Sequence, residues 1–176
     1  RLLSSDGYGA GRIRVGGALH IPGLDAPGPP AGEPPGPAND APVLVACSYG
    51  LEEASELADL AARLFDEADG VSVVIKCHPA MPFRYFQHLM RGPLPEHVRV
   101  SEEPITGLIP KSSIMVYTGS MVCVQALAAG LPVVHLRPEF DLDIDPLGAV
   151  PEVRPEATGL EELRRQVKRL LAHREE

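Results

Sequence analysis

Tryptophan is absent from this sequence, and four Phe and four Tyr hold the aromatic fraction to 5%. The apolar 44% comes mainly from Val, Leu, Ile and Ala, the profile of a soluble α/β protein. No apolar run approaches the roughly 18 residues of a membrane-spanning helix, and no signal-peptide pattern opens the chain. Cysteine is scarce. Cys47, Cys77 and Cys123 are odd in number and widely spaced, which argues against a disulfide framework or a zinc site and for a reducing cytoplasm. A basic excess is missing too: the formal net charge of −8 disfavours nucleic acid as a partner. No Gly-x-Gly-x-x-Gly fingerprint occurs, so no nicotinamide or flavin cofactor is expected.

What is present is a regular alternation. At 176 residues the chain suits one domain, and it begins at Arg1 without a Met, as a piece of a longer protein would. Ile13 and Val15 alternate with Arg12 and Arg14, which predicts a half-exposed strand within residues 1–21. Residues 22–42 shift to Pro, Gly, Ala and acidic residues, an extended linker. From Val43 onward strands and helices alternate. Strands are expected at Val43–Cys47, Val71–Lys76, His97–Val100, Ser113–Tyr117 and Pro132–Leu136, with a sixth near Val150–Val153. Helices are expected at Leu51–Ala68, Phe83–Met90, Gln125 and its neighbours, and Leu160–His173, with a helical turn at Ile105–Ile109. On the first helix Glu52, Glu53, Glu56 and Asp59 form a solvated face. The pattern predicts a doubly wound parallel sheet with helices on both faces, a Rossmann-like α/β domain over residues 43–176. Ligands bind in such folds where strand order reverses, which would bring the loops after the first, second and fourth strands together.

The Ser113–Pro132 stretch is the most organised part of the chain. An apolar strand runs into Thr118-Gly119-Ser120, then into a small-residue helix ended by Gly130 and Pro132. Free amides at that turn can hold an anion, most naturally a phosphate; the plainer reading is that Ser120 caps the helix and Gly119 eases the turn. Ser48-Tyr49-Gly50 offers a hydroxyl, a ring and a pliant backbone after the first strand, or simply a helix start. In Lys76-Cys77-His78-Pro79 the proline restricts the histidine backbone at the sheet edge, where an imidazole can donate to a phosphate oxygen. Gln125, on the side of the fourth helix shared with Met121 and Val122, can reach a sugar hydroxyl or can be a rim residue. Asp141, Asp143 and Asp145 alternate, but without the Gly and late Glu of a calcium loop they read as a solvated acidic segment; Glu139 is a candidate hydroxyl acceptor.

With these motifs in place the chain resembles the carboxyl-terminal, nucleotide-sugar-binding half of GT-B glycosyltransferases. The likeness rests on Lys76-Cys77-His78-Pro79, Thr118-Gly119-Ser120 and the run from Gln125 to Val134. The strand-end His-Pro pair is similar to that of bacterial enzymes using CMP-linked sugars, such as sialyltransferases and capsule Kdo transferases. The resemblance implies that His78 and Ser120 contact the donor phosphate, that Thr118 and Gly119 complete the cradle, and that Arg12 to Leu19, within the interdomain strand segment 1–21, open the second domain. It implies a nucleotide-sugar donor, a carbohydrate acceptor, a missing amino-terminal domain that supplies the catalytic base, and a fragment that transfers nothing alone. Lys76 would assist at the leaving group, with no metal needed. UDP-sugar 2-epimerases and CDP-glycerol phosphotransferases share this architecture, and a non-catalytic interaction domain of the same fold is the alternative of a different class.

Overall fold

Six short parallel strands carry the domain, the first five built mainly from apolar and β-branched residues. They are β1 (Val43–Ala46), β2 (Val73–Lys76), β3 (Val98–Val100), β4 (Ile114–Tyr117), β5 (Val133–Leu136) and β6 (Glu156–Ala157). In this computed structural model, which describes residues 41–138 and 144–172, they pair in the order β3-β2-β1-β4-β5-β6. The predicted strand at Arg12–Val15, nearly all of the 22–42 linker, Glu139, Asp141 and Asp143 lie outside the described residues.

The alternation of side chains along each strand distributes the core to two sides. Val43 and Val45 of β1, Ile114 and Val116 of β4, and Val134 of β5 pack with helix α1 (Leu51–Ala62) and the terminal helix α4 (Leu160–Ala172). Leu44 and Ala46, Met115 and Tyr117, and Val133 face the other way, toward α2 (Ile105–Leu108) and α3 (Val122–Ala128). All four residues of β1, of β4 and of β5 are buried, as a parallel sheet covered on both faces requires. The sheet is therefore doubly wound, with β1 between β2 and β4 in register: Ala46 lies beside Lys76 on one side and Tyr117 on the other. Strand order reverses at β1/β4.

Several elements depart from the sequence reading. Helix α1 stops at Ala62 although the apolar spacing continues through Leu64 and Phe65, both buried. Arg63 and Leu64 donate to the carbonyls three residues back, which tightens the last turn. Arg164 of α4 then takes the carbonyls of Leu64 (2.9 Å) and Arg63 (2.8 Å), and Asp66 with Asp69 opens a new 3₁₀ turn as a capping box. Phe83–Met90 forms two 3₁₀ turns, Phe83–Tyr85 and Gln87–Leu89, rather than one helix. The sixth strand is not at Val150–Val153, where Pro151 starts a 3₁₀ turn, but at Glu156–Ala157. β5 selects it by donating from His135 to Pro155 (3.0 Å) and from Arg137 to Ala157 (2.9 Å).

Gly130 closes α3 at a φ of +77°, a conformation that an L side chain enters only at a cost of about 1–2 kcal/mol. Gly130→Ala should lose that much stability in urea denaturation. Gly92→Ala, at a glycine with ordinary φ and nothing near its missing Cβ, should stay within about 0.5 kcal/mol of the parent.

Candidate functional site

The loops that follow β1, β2 and β4 leave the carboxyl edge of neighbouring strands. The β1 loop ends at Gly50, whose extended backbone is the N-cap of α1. Ser48 is buried beneath it, while Tyr49 stands 65% exposed. Tyr49 meets His78 of the β2 loop edge to face, with ring centroids 6.2 Å apart and an interplanar angle of 63°. The exposed His78 accepts a hydrogen bond at Nδ1 from the Ala80 amide (3.1 Å), and its carbonyl accepts from Met81 (2.9 Å). An Nδ1 that accepts carries no proton, so in this arrangement the ring proton is on Nε2. The ring is thus a neutral, outward-facing hydrogen-bond donor; a doubly protonated imidazolium would have to give up the Ala80 contact. Pro79 beside it is exposed.

Lys76 turns away from His78. Its Nζ donates to the carbonyls of Ser101 (3.4 Å) and Glu102 (3.3 Å) at the end of β3. Cys47 and Cys77 occupy the position just past the paired ends of β1 and β2, both buried and both free. A hydrogen bond between them raises the Cys47 thiol, which burial raises further, and lowers that of Cys77.

After β4 the chain makes the Thr118–Ser120 turn, but its Gly119 amide is not open. Glu53, three residues into α1 from Gly50, turns its carboxylate across the β1/β4 boundary. Its Oε1 accepts from the Gly119 amide (3.1 Å) and from the Thr118 hydroxyl. This corrects the reading of Glu53 as part of a solvated face; its partners lie 65 and 66 residues away, beyond any local periodicity. Ser120 does not cap α3: the N-cap is Met121, 54% exposed, with no side-chain cap. Ser120 instead accepts at its carbonyl from Cys123 (3.2 Å). Ile144 lies over Gly119, so close that a Cβ there would sit 2.6 Å from it. Gln125 directs Oε1 inward, where it is buried with no hydrogen-bond partner among the described residues. An acceptor left so costs about 1–3 kcal/mol unless something donates to it.

Beneath these loops sits a buried ionic cluster that the sequence reading missed. The side chain of Asp145, expected in a solvated segment, is 1% exposed. Its Oδ1 accepts from the Tyr117 hydroxyl (2.8 Å) and the Leu147 amide (3.0 Å), and its Oδ2 from Arg154 Nε (2.8 Å). Arg154 also bonds Glu156 (2.9 Å), which pairs in turn with Arg137 (3.2 Å). His135, buried on β5, has Nδ1 3.4 Å from Glu156 Oε2 and 3.8 Å from Asp145 Oδ2, and its ring lies against that of Tyr117. Burial opposes ionisation of Asp145, but the Leu147 amide, the Tyr117 hydroxyl, His135 and Arg154 outweigh it and hold its pKa below the ordinary value. Burial and the Asp145 bond push the Tyr117 phenol up, and burial pushes Cys123 up to about 11. The cluster anchors the segment that brings Ile144 onto Gly119. The only sequence signal for it was the Asp145–Arg154 pair of opposite charges, with nothing to mark either as buried.

Arg154→Ala leaves Asp145 buried without its cation and should destabilise the fold by about 3–5 kcal/mol, read by urea denaturation. Because the folded pKa of Asp145 lies below the unfolded one, its contribution is complete above the usual carboxylate value of 3.8 and disappears as pH falls through the lower folded value. Asp145→Asn should flatten that acid limb of the stability curve.

No protein-family profile matches this sequence, and no curated protein matches it. Solved structures with a similar backbone are glycosyltransferases. The calicheamicin glycosyltransferase CalG4 is 23% identical with a TM-score of 0.60, the match covering 82% of this chain and 37% of that one. The glycosyltransferase of kitacinnamycin is 17% identical with a TM-score of 0.57, covering 79% and 37%. The spinosyn rhamnosyltransferase SpnG is 20% identical with a TM-score of 0.56, covering 76% and 37%. The chain therefore spans little more than a third of the length of the proteins it resembles. Among the described residues no helix is long and apolar enough to cross a membrane. At these identities the likeness is one of fold: the described residues adopt the Rossmann-like α/β architecture found in GT-B glycosyltransferases.

Proposed function

We propose that residues 43–176 are the donor-binding domain of a bacterial, cytoplasmic glycosyltransferase that moves a sugar from a CMP- or UDP-linked donor to a surface-polysaccharide acceptor. Residues 1–21 then carry the strand segment that joins it to an amino-terminal domain, and residues 22–42 the linker. The observation that carries this reading is His78, an exposed imidazole whose Nδ1 is occupied by the Ala80 amide and whose Nε2 proton has no partner among the described residues, at the carboxyl end of β2, the strand beside the β1/β4 switch point. There His78 donates to a donor phosphate oxygen and offsets the charge that grows on the leaving group. Thr118, Gly119 and Ser120 complete the anion site from the β4 loop, with Ser48 and Gly50 of the β1 loop between them and His78.

The exposed Tyr49 ring and Met121 flank the site as apolar surfaces for the donor. Gln125 would have to turn its buried, orphaned oxygen outward to accept from a ligand hydroxyl, and would regain a partner there. Glu139, outside the described residues, is the second hydroxyl acceptor in this reading. Lys76 assists only by leaving the Ser101 and Glu102 carbonyls, so His78 carries the larger share. Catalysis needs a base from the amino-terminal domain, and this chain alone binds donor without transferring sugar. An epimerase would need acid and base carboxylates in the cleft; Asp145 and Glu156 do not serve, because both are committed to Arg154.

Thermal denaturation of the 176-residue chain with CMP, UDP and CDP tests this. A nucleotide at a hundredfold excess over its dissociation constant should add about 2.7 kcal/mol of stability. His78→Ala should weaken that binding by about tenfold, the value of one charge-assisted hydrogen bond. No stabilisation by any of the three overturns the donor site, and unchanged affinity in His78→Ala removes His78 from it.

A further inference from the structure

We infer that Glu53 is an internal competitor for the donor's phosphate: its carboxylate fills the Thr118–Gly119 anion site in the unliganded chain and must be displaced when donor binds. This rests on the donor-binding reading above and adds to it a residue that sets affinity. Three observations carry it. Glu53 Oε1 takes both the Gly119 amide and the Thr118 hydroxyl, the donors assigned to the phosphate. The carboxylate is wedged between the glycines of the two loops, with Oε2 3.1 Å from where a Cβ on Gly50 would stand and Oε1 3.6 Å from one on Gly119. No cation among the described residues pairs with it: its partners are one neutral amide and one hydroxyl.

A carboxylate and a phosphate are acceptors of the same kind, anionic oxygens that satisfy N–H and O–H donors. The Gly119 amide has a single proton and cannot serve both. Two anions held side by side also repel, so phosphate enters only as Glu53 leaves. Its release is feasible because it is held by neutral groups on a side chain with three rotatable bonds, and the solvated face it would rejoin already carries the exposed Glu52. The glycines explain the fit. A side chain at position 50 would press on the carboxylate, and one at 119 would force Ile144 to shift.

Calorimetric titration of the 176-residue chain and of its Glu53→Gln and Glu53→Ala variants with CMP, UDP and inorganic phosphate decides the matter. Glu53→Gln keeps the shape and an acceptor oxygen but loses the charge, and should bind the preferred ligand about tenfold more tightly, since a neutral acceptor holds the amide roughly half as strongly. Glu53→Ala should bind at least as tightly. If parent and variants bind a nucleotide equally, or the variants bind it more weakly, Glu53 is a structural latch or a ligand contact; the inference is overturned and the donor site stands. Should no nucleotide bind any of the three at millimolar concentration, both readings fall. If Glu53→Ala does not fold, the Glu53→Gln affinity is sufficient.

Discussion

The pairing of β1 with β4 is the constraint on which the rest of the molecule depends. Residues 43 to 46 lie in register with 114 to 117, although some 70 residues separate them, and the strand order turns back at this seam. Because every residue of both strands is buried, neither can slip without moving apolar side chains to the wrong face or abandoning ladder hydrogen bonds. The helices that follow then pack on opposite faces, α1 with the β1 side chains at 43 and 45, α3 with those at 44 and 46. Two loops diverging from adjacent strand ends leave a crevice between them. Glu53 of α1 reaches Thr118 and Gly119 because of that one register.

The charges around it fall into two groups with different freedom to move. Asp145 and Arg154 face each other in the interior, each satisfied by the other and by Tyr117, Leu147 or Glu156, and separating them would leave an ion uncompensated at low dielectric. That pair is fixed structure. Glu53 is held only by an amide and a hydroxyl at the mouth of the crevice, and it can exchange those donors for water. The fixed group shapes the wall through Ile144, while the movable one occupies the place where an anionic ligand is expected. A chain of net charge −8 that is to bind a phosphate can do so in this way, with backbone dipoles and a neutral imidazole rather than a basic patch.

Lys76, Arg137 and Arg154 illustrate why residue type alone misleads at such a site. Lys76 and Arg137 stand at the carboxyl ends of β2 and β5 and Arg154 just before β6, yet Lys76 is directed to carbonyls of the β3 loop and both arginines to Glu156. His78 carries no formal charge in its present tautomer, yet it is the group with a proton to offer outward.

The sequence by itself determined the alternation of strands and helices and the turn at Gly130. These follow from hydrophobic period and from backbone chemistry confined to neighbouring residues. Only the tertiary structure decided where α1 ends, because Arg164, a hundred residues on, takes the last carbonyls. It alone placed the sixth strand at Glu156–Ala157, since two residues show no period and the edge of β5 picks them out. It also decided that Glu53 turns to Gly119 and that Asp145 is buried against Arg154. An acidic residue in a polar run looks the same whether it faces water or a donor across the sheet, and the difference depends on distances in space that no local pattern encodes.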